Sequence, residues 1–150
     1  MLKIGSVYRE RGIELTMSVK GSCNCGGVVF EVTSSVSDVY VCHCSICRKS
    51  TGSGGIAIVI VNSNDLSWTE GDDLVQKWSK PGHDWETSFC RNCGSPLPGK
   101  NDEATSYIPA SLLEIENSKL IVRHHLFVDS KACWEKIGDN GQQHQENFRA

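Results

Sequence analysis

The chain has 150 residues and a net charge of -3, with 22% charged and 39% hydrophobic residues. That is enough to bury one domain's core. The slightly acidic balance argues against nucleic acid or an anionic membrane surface as partner, and no apolar run approaches membrane-spanning length.

In chain order, residues 1–16 lack a clear hydrophobic period and read as a peripheral extension, with a single domain expected over 17–150. Arg9, Glu10, Arg11 and Glu14 occupy the place where a secretory signal needs an apolar stretch, so a cytoplasmic protein is expected. Short β-branched runs then dominate, and residues 27–32, 37–42, 56–61, 74–79, 86–90 and 120–128 read as strands. Gly71-Asp72-Asp73 and Lys80-Pro81-Gly82 are turn signals between them. Helical periodicity is confined to single turns at 45–50 and 110–115. The expectation is a mainly β domain of antiparallel sheets with very short helices.

Eight cysteines in a reducing compartment point to metal binding or catalysis rather than to disulfides. Seven of them fall into three groups: Cys23 and Cys25; Cys42, Cys44 and Cys47; Cys90 and Cys93. Structural zinc takes four ligands, whereas catalytic zinc keeps one position for water or substrate. Seven clustered thiols therefore divide naturally into four and three. Cys42 and Cys44 alternate at the end of a strand and Cys47 returns on the next turn, a spacing compact enough for one ion. The pairs Cys23-x-Cys25 and Cys90-x-x-Cys93 sit on different strands and can pinch over another. Gly94 lets the second knuckle turn its amides toward sulfur.

Four segments, "GSCNCGGVVFEV", "CHCSICRKSTGS", "FCRNCGSPL" and "HLFVDSKACWEKI", carry a wider likeness. In order and spacing the chain resembles the glutathione-dependent formaldehyde-activating enzyme family, which includes the centromere protein V relatives. The likeness runs from about residue 20 to residue 137. It implies a zinc-containing β-tent fold with two zinc ions per chain. Cys23, Cys25, Cys90 and Cys93 would share the structural ion, and Cys42, Cys44 and Cys47 would hold the catalytic one. The implied activity is that of a carbon–sulfur lyase or synthase. A thiol such as glutathione would bind at the open zinc and add to formaldehyde or another small electrophile. Three thiolates leave such a site near a charge of about -1, which suits a substrate thiol better than hydroxide formation.

Neighbouring residues have two readings each. Arg48 and Lys49 could offset the anionic site or hold a substrate carboxylate, or form a solvated pair. Ser53, with Ser50, Thr51 and Gly52, could present polar groups to substrate or form a plain turn. His43, between two ligands, is expected to point away from the metal. His125 occupies the family's histidine position before "FVDSKA" and reads as a hydrogen-bonded structural residue rather than a proton shuttle. Asp129, Ser130 and Lys131 form the family's bend. Trp134 reads as core, and Cys133 as an inert small side chain. The tail "GDNGQQHQENF" and the second proline, Pro98, depart from the family and bear on specificity more than on metal binding. Two competing readings remain, a non-catalytic β-tent zinc module and a thiol redox protein using Cys44 and Cys47. The first would gain from closing the three-cysteine site with a fourth ligand. The second is disfavoured by Cys42 beside the pair.

Overall fold

The computed structural model describes residues 18–115 and 119–148, so the extension expected over 1–16 lies outside the described residues. The chain runs through β1 (Val19–Ser22), β2 (Val29–Val32), β3 (Asp38–Cys42), the helix α1 (Ser45–Thr51) and β4 (Ile56–Asn62). β5 (Leu66–Glu70), β6 (Val75–Ser79) and β7 (Glu86–Cys90) follow, then the two-residue strands β8 (Pro96–Leu97) and β9 (Gly99–Lys100). β10 (Thr105–Pro109), β11 (Ile121–Leu126) and β12 (Gln142–Gln143) are the later strands.

These strands form three sheets, ordered β1-β2-β5, β12-β11-β3-β4-β10-β9 and β6-β7-β8. Alternation decides which face of each strand is buried. Phe30 and Val32 of β2, and Val59 and Val61 of β4, turn inward with Val39 and Ile108 to make the main core. Phe30 is fully buried and meets Trp68 edge to face, with centroids 5.9 Å apart. Truncating such a ring to alanine costs about 3–5 kcal/mol. A second, smaller cluster unites Cys23, Val28, Cys90 and Leu97. It places the two remote cysteine pairs over one apolar floor.

The mainly β architecture agrees with the sequence reading, and most pairings are antiparallel. β11 is different, lying parallel to both β3 and β12. The chain leaves β3 through α1, β4 and β10 and then returns along the far side of β3 in the same direction. The strand expected over 120–128 stops at Leu126, because Phe127 takes a left-handed backbone (φ 55°) and opens a 3-10 turn at Val128–Ser130. That turn contains two residues of the expected bend, Asp129 and Ser130. The helical turn expected at 110–115 contracts to a 3-10 turn at Ala110–Leu112. Trp134 corrects the sequence reading. It is 70% exposed and belongs to no core cluster among the described residues.

Candidate metal centres and the adjoining cleft

Cys23 follows the end of β1, Cys25 sits two residues on, Cys90 closes β7 and Cys93 lies in the turn after it. Their four sulfurs all lie within 4.8 Å of one another. Cys23 and Cys25 approach to 3.5 Å, and Cys25 and Cys90 to 3.9 Å. Zinc with Zn–S bonds of about 2.3 Å in a tetrahedron needs sulfurs about 3.8 Å apart, so this set fits a four-coordinate ion. The backbone supports the charge such a set carries. The Val28 amide donates to Cys23 Sγ at 3.3 Å. Gly94 adopts φ 75° and its amide closes onto Cys90 O at 2.8 Å, the knuckle geometry its sequence position suggests. Ser95 joins the two loops, its hydroxyl accepting from the Asn24 amide at 2.8 Å and meeting Cys93 Sγ at 3.3 Å. Hydrogen bonding, led by the Ser95 hydroxyl, holds the Cys93 thiol down at about 6.

The second group is local. Cys42 ends β3, Cys44 is the N-cap of α1 and Cys47 lies in its first turn. Cys44 Sγ accepts the Cys47 amide at 3.4 Å, taking the part that a serine or aspartate oxygen usually plays at a helix start. The three sulfurs lie within 4.8 Å of one another, and no fourth histidine, cysteine or carboxylate joins them among the described residues. Cys42 and Cys47 are buried, whereas Cys44 is partly exposed. Hydrogen bonds from Cys42 and Cys47 pull the Cys44 thiol down to about 2, while the same contacts raise Cys42 to about 11 and also raise Cys47. A compact thiol trio fits a soft cation with one side left free.

His43, between Cys42 and Cys44, is only 1% exposed. Its ring stays outside the thiol group. Nδ1 meets Glu135 Oε2 at 3.0 Å, and Nε2 meets His125 Nδ1 at 2.9 Å. His125, 4% exposed, continues through Nε2 to Asp139 Oδ1 at 2.9 Å. Which ring nitrogen donates in each link is set by the ring tautomers. Sequence reasoning named both histidines but neither Glu135 nor Asp139. The signal for the acids was slight, since nothing in their spacing marks them as histidine partners.

A cleft of about 630 Å³ lies along the outer side of α1. Ser45, Ile46, Lys49 and Thr51 of the helix segment face Trp78, Lys80, His83 and Trp85 across it, with Tyr107 also lining it. Burial raises the Tyr107 hydroxyl above its ordinary value. Trp85 stacks with Tyr107 at 6.4 Å, and its buried indole N–H has no partner among the described residues. Of the substrate candidates read from sequence, Lys49, Ser50 and Thr51 line the cleft. Arg48 Nε donates to His43 O at 3.3 Å, and Ser53 is exposed outside the lining. No described helix is long and apolar enough to cross a membrane.

Among the described residues, three sheets and two thiol groups able to hold metal define a mainly β protein. The chain belongs to the glutathione-dependent formaldehyde-activating enzyme family, whose profile matches residues 18–147. A curated Halomonas elongata protein carrying the same family name is 30% identical over 136 residues, covering 84% of this chain and 85% of that relative. A crystal structure of a Rhodobacter sphaeroides protein shares the fold, with a TM-score of 0.54 and 24% identity. That match covers 65% of this chain and 90% of the other.

Proposed function

We propose that this protein is a zinc-dependent carbon–sulfur lyase or synthase of the cytoplasm that joins a thiol such as glutathione to formaldehyde or a similar small electrophile. The observation that carries the reading is a three-thiol group with no fourth protein donor among the described residues, set at the start of a helix whose Ser45, Ile46 and Lys49 line a cleft that also bears Lys80. In this reading Cys23, Cys25, Cys90 and Cys93 hold a structural zinc, and Cys42, Cys44 and Cys47 hold the catalytic one, within one domain over 17–150. Bound zinc supplies a Lewis acid that stabilises a substrate thiolate.

The chain's own residues place the reactants. Lys49 and Lys80 attract the carboxylates of a glutathione-like thiol, while Trp78 and Trp85 give its backbone apolar walls. Tyr107 lines the same cleft. The substrate sulfur then adds to the aldehyde carbon, the C=O electron pair moves to oxygen, and water supplies the proton that completes S-hydroxymethylglutathione. Proximity and orientation can supply about 7 kcal/mol or more toward such an addition. The scheme assigns no protein general base.

The test pairs metal analysis of the purified chain with exchange spectroscopy of glutathione and formaldehyde. Near two zinc per chain, falling to near one in Cys44→Ser with loss of accelerated exchange, is the expected result. A chain that holds metal only at the four-cysteine group and leaves the exchange rate unchanged would sink the reading.

A further inference from the structure

The line Glu135–His43–His125–Asp139 lies behind the three-cysteine loop and has no part in the chemistry above. We propose that Glu135 and Asp139 are positioning residues for that loop, acting through His43 and His125 to hold the sulfurs of Cys42 and Cys44 ready for metal. This rests on the reading that Cys42, Cys44 and Cys47 bind zinc.

His43 stands between Cys42 and Cys44, and each of its polar atoms is engaged. Its amide donates to Leu126 O at 3.0 Å, and its carbonyl accepts from Arg48 Nε at 3.3 Å. Its ring is held by Glu135 at one end and His125 at the other. Cys42 ends a strand and Cys44 has an extended backbone, so side chains alternate through this stretch. A ring fixed on one side therefore fixes the direction of the thiols on the other. Releasing the ring frees the backbone torsions that aim Cys42 and Cys44.

The line is also anchored at both ends. Glu135 follows a turn closed by its own amide on Ala132 O at 3.0 Å. Its carboxylate lies over Gly54, where a Cβ would come within 2.7 Å of Oε2. At the other end, Asp139 Oδ1 also accepts the Gly141 amide at 2.7 Å. A Cβ on Gly141 would fall 2.9 Å from the His125 ring. Both carboxyl-bearing ends thus close against a glycine that leaves room for them. The tail carrying Asp139 is itself docked, with the His144 amide on His125 O at 2.8 Å and Gln143 paired with His125. A segment 92 residues further along the chain thus converges on the His43 imidazole.

Ligands of metal sites commonly lose about 10- to 100-fold in metal affinity when the partners that orient them are removed. The experiment follows zinc release from the loaded full-length chain into excess chromogenic chelator, with Cys44→Ser identifying the phase that belongs to the three-cysteine site. In Glu135→Ala that phase should accelerate about tenfold while the four-cysteine phase stays within about twofold. Glu135→Gln, which keeps an oxygen to accept from His43, should restore release to within about threefold of wild type. Asp139→Ala, at a half-exposed position, should shift the same phase in the same direction. Unchanged release in both alanine variants would overturn the proposal. So would acceleration of both phases alongside a fall in Tm, since that marks a general scaffold role. A wild-type chain lacking the Cys44-dependent phase would remove the metal reading itself, and this inference with it.

Discussion

The two cysteine groups use the same donor atom and similar sulfur spacing, yet they are built in opposite ways. The four-cysteine group joins loops that lie 65 residues apart, as Cys25 and Cys90 do, and two of its members sit in an apolar cluster with Val28 and Leu97. It cannot form until β1 and β7 are in place, so binding there reports and reinforces the global fold. The three-cysteine group spans six consecutive positions at a strand end and a helix start. It needs little of the rest of the chain to come together, and its aim is set from behind by a histidine. A site assembled from distant segments stabilises a fold. A site assembled locally and steered by neighbours can keep one face free for a reactant.

The largest expected effect breaks the first group. Cys90→Ser should lower stability by more than about 5 kcal/mol, since structural zinc contributes on the order of 10 kcal/mol in small metal-dependent domains. Circular dichroism melting with and without chelator measures it, and a near-native Tm would show that the apolar cluster alone holds these loops. Next comes Cys44→Ser, which should abolish glutathione–formaldehyde exchange by roughly 10³-fold or more while moving Tm by only a few degrees. A comparable collapse of fold would erase the contrast between the groups. Lys49→Ala should raise KM for glutathione about tenfold and leave kcat within about twofold, the signature of lost binding shared by ground and transition states. An unchanged KM would move the thiol's carboxylate away from α1.

The smallest effect concerns pH. The hydrogen bond from His125 leads the causes that hold the Asp139 carboxyl below its ordinary value of 3.8. A depressed carboxyl contributes stability above its unfolded pKa, and that contribution is lost as pH falls through the folded value. The Tm gap between wild type and Asp139→Asn should therefore stay level from pH 8 to 5 and close below about pH 4. A gap that widens toward acid would reverse the assigned sign.

Ligand spacing is local information, which is why the division into four and three cysteines, the helix after Cys44 and six of the strands were readable in the sequence. What escaped it depends on partners that are distant in the chain. "LSWTE" and "TSYIP" carry serine, threonine and proline and look unlike strands, but β5 pairs with β2 and β10 with β4. In β10 four of the five residues are buried, an outcome that pairing rather than intrinsic preference decides. Trp134 reads as core from its type alone, yet it lies exposed past the turn that Phe127 opens. Glu135 and Asp139 resemble ordinary surface acids until the tail folds back and brings them to the histidines.

That tail has a consequence for how copies of the molecule coexist. β11 would otherwise be the boundary strand of the six-stranded sheet, offering unpaired amides and carbonyls at His124 and His125 to any other extended chain. β12 occupies those groups, the Val128 amide is taken by His144 O, and Phe148 stacks on His124 with centroids 4.0 Å apart. Residues 142–148 thus serve as a guard against edge-to-edge association. A chain cut before Asp139 would expose an adhesive border and lose solubility, even with both sets of thiols intact.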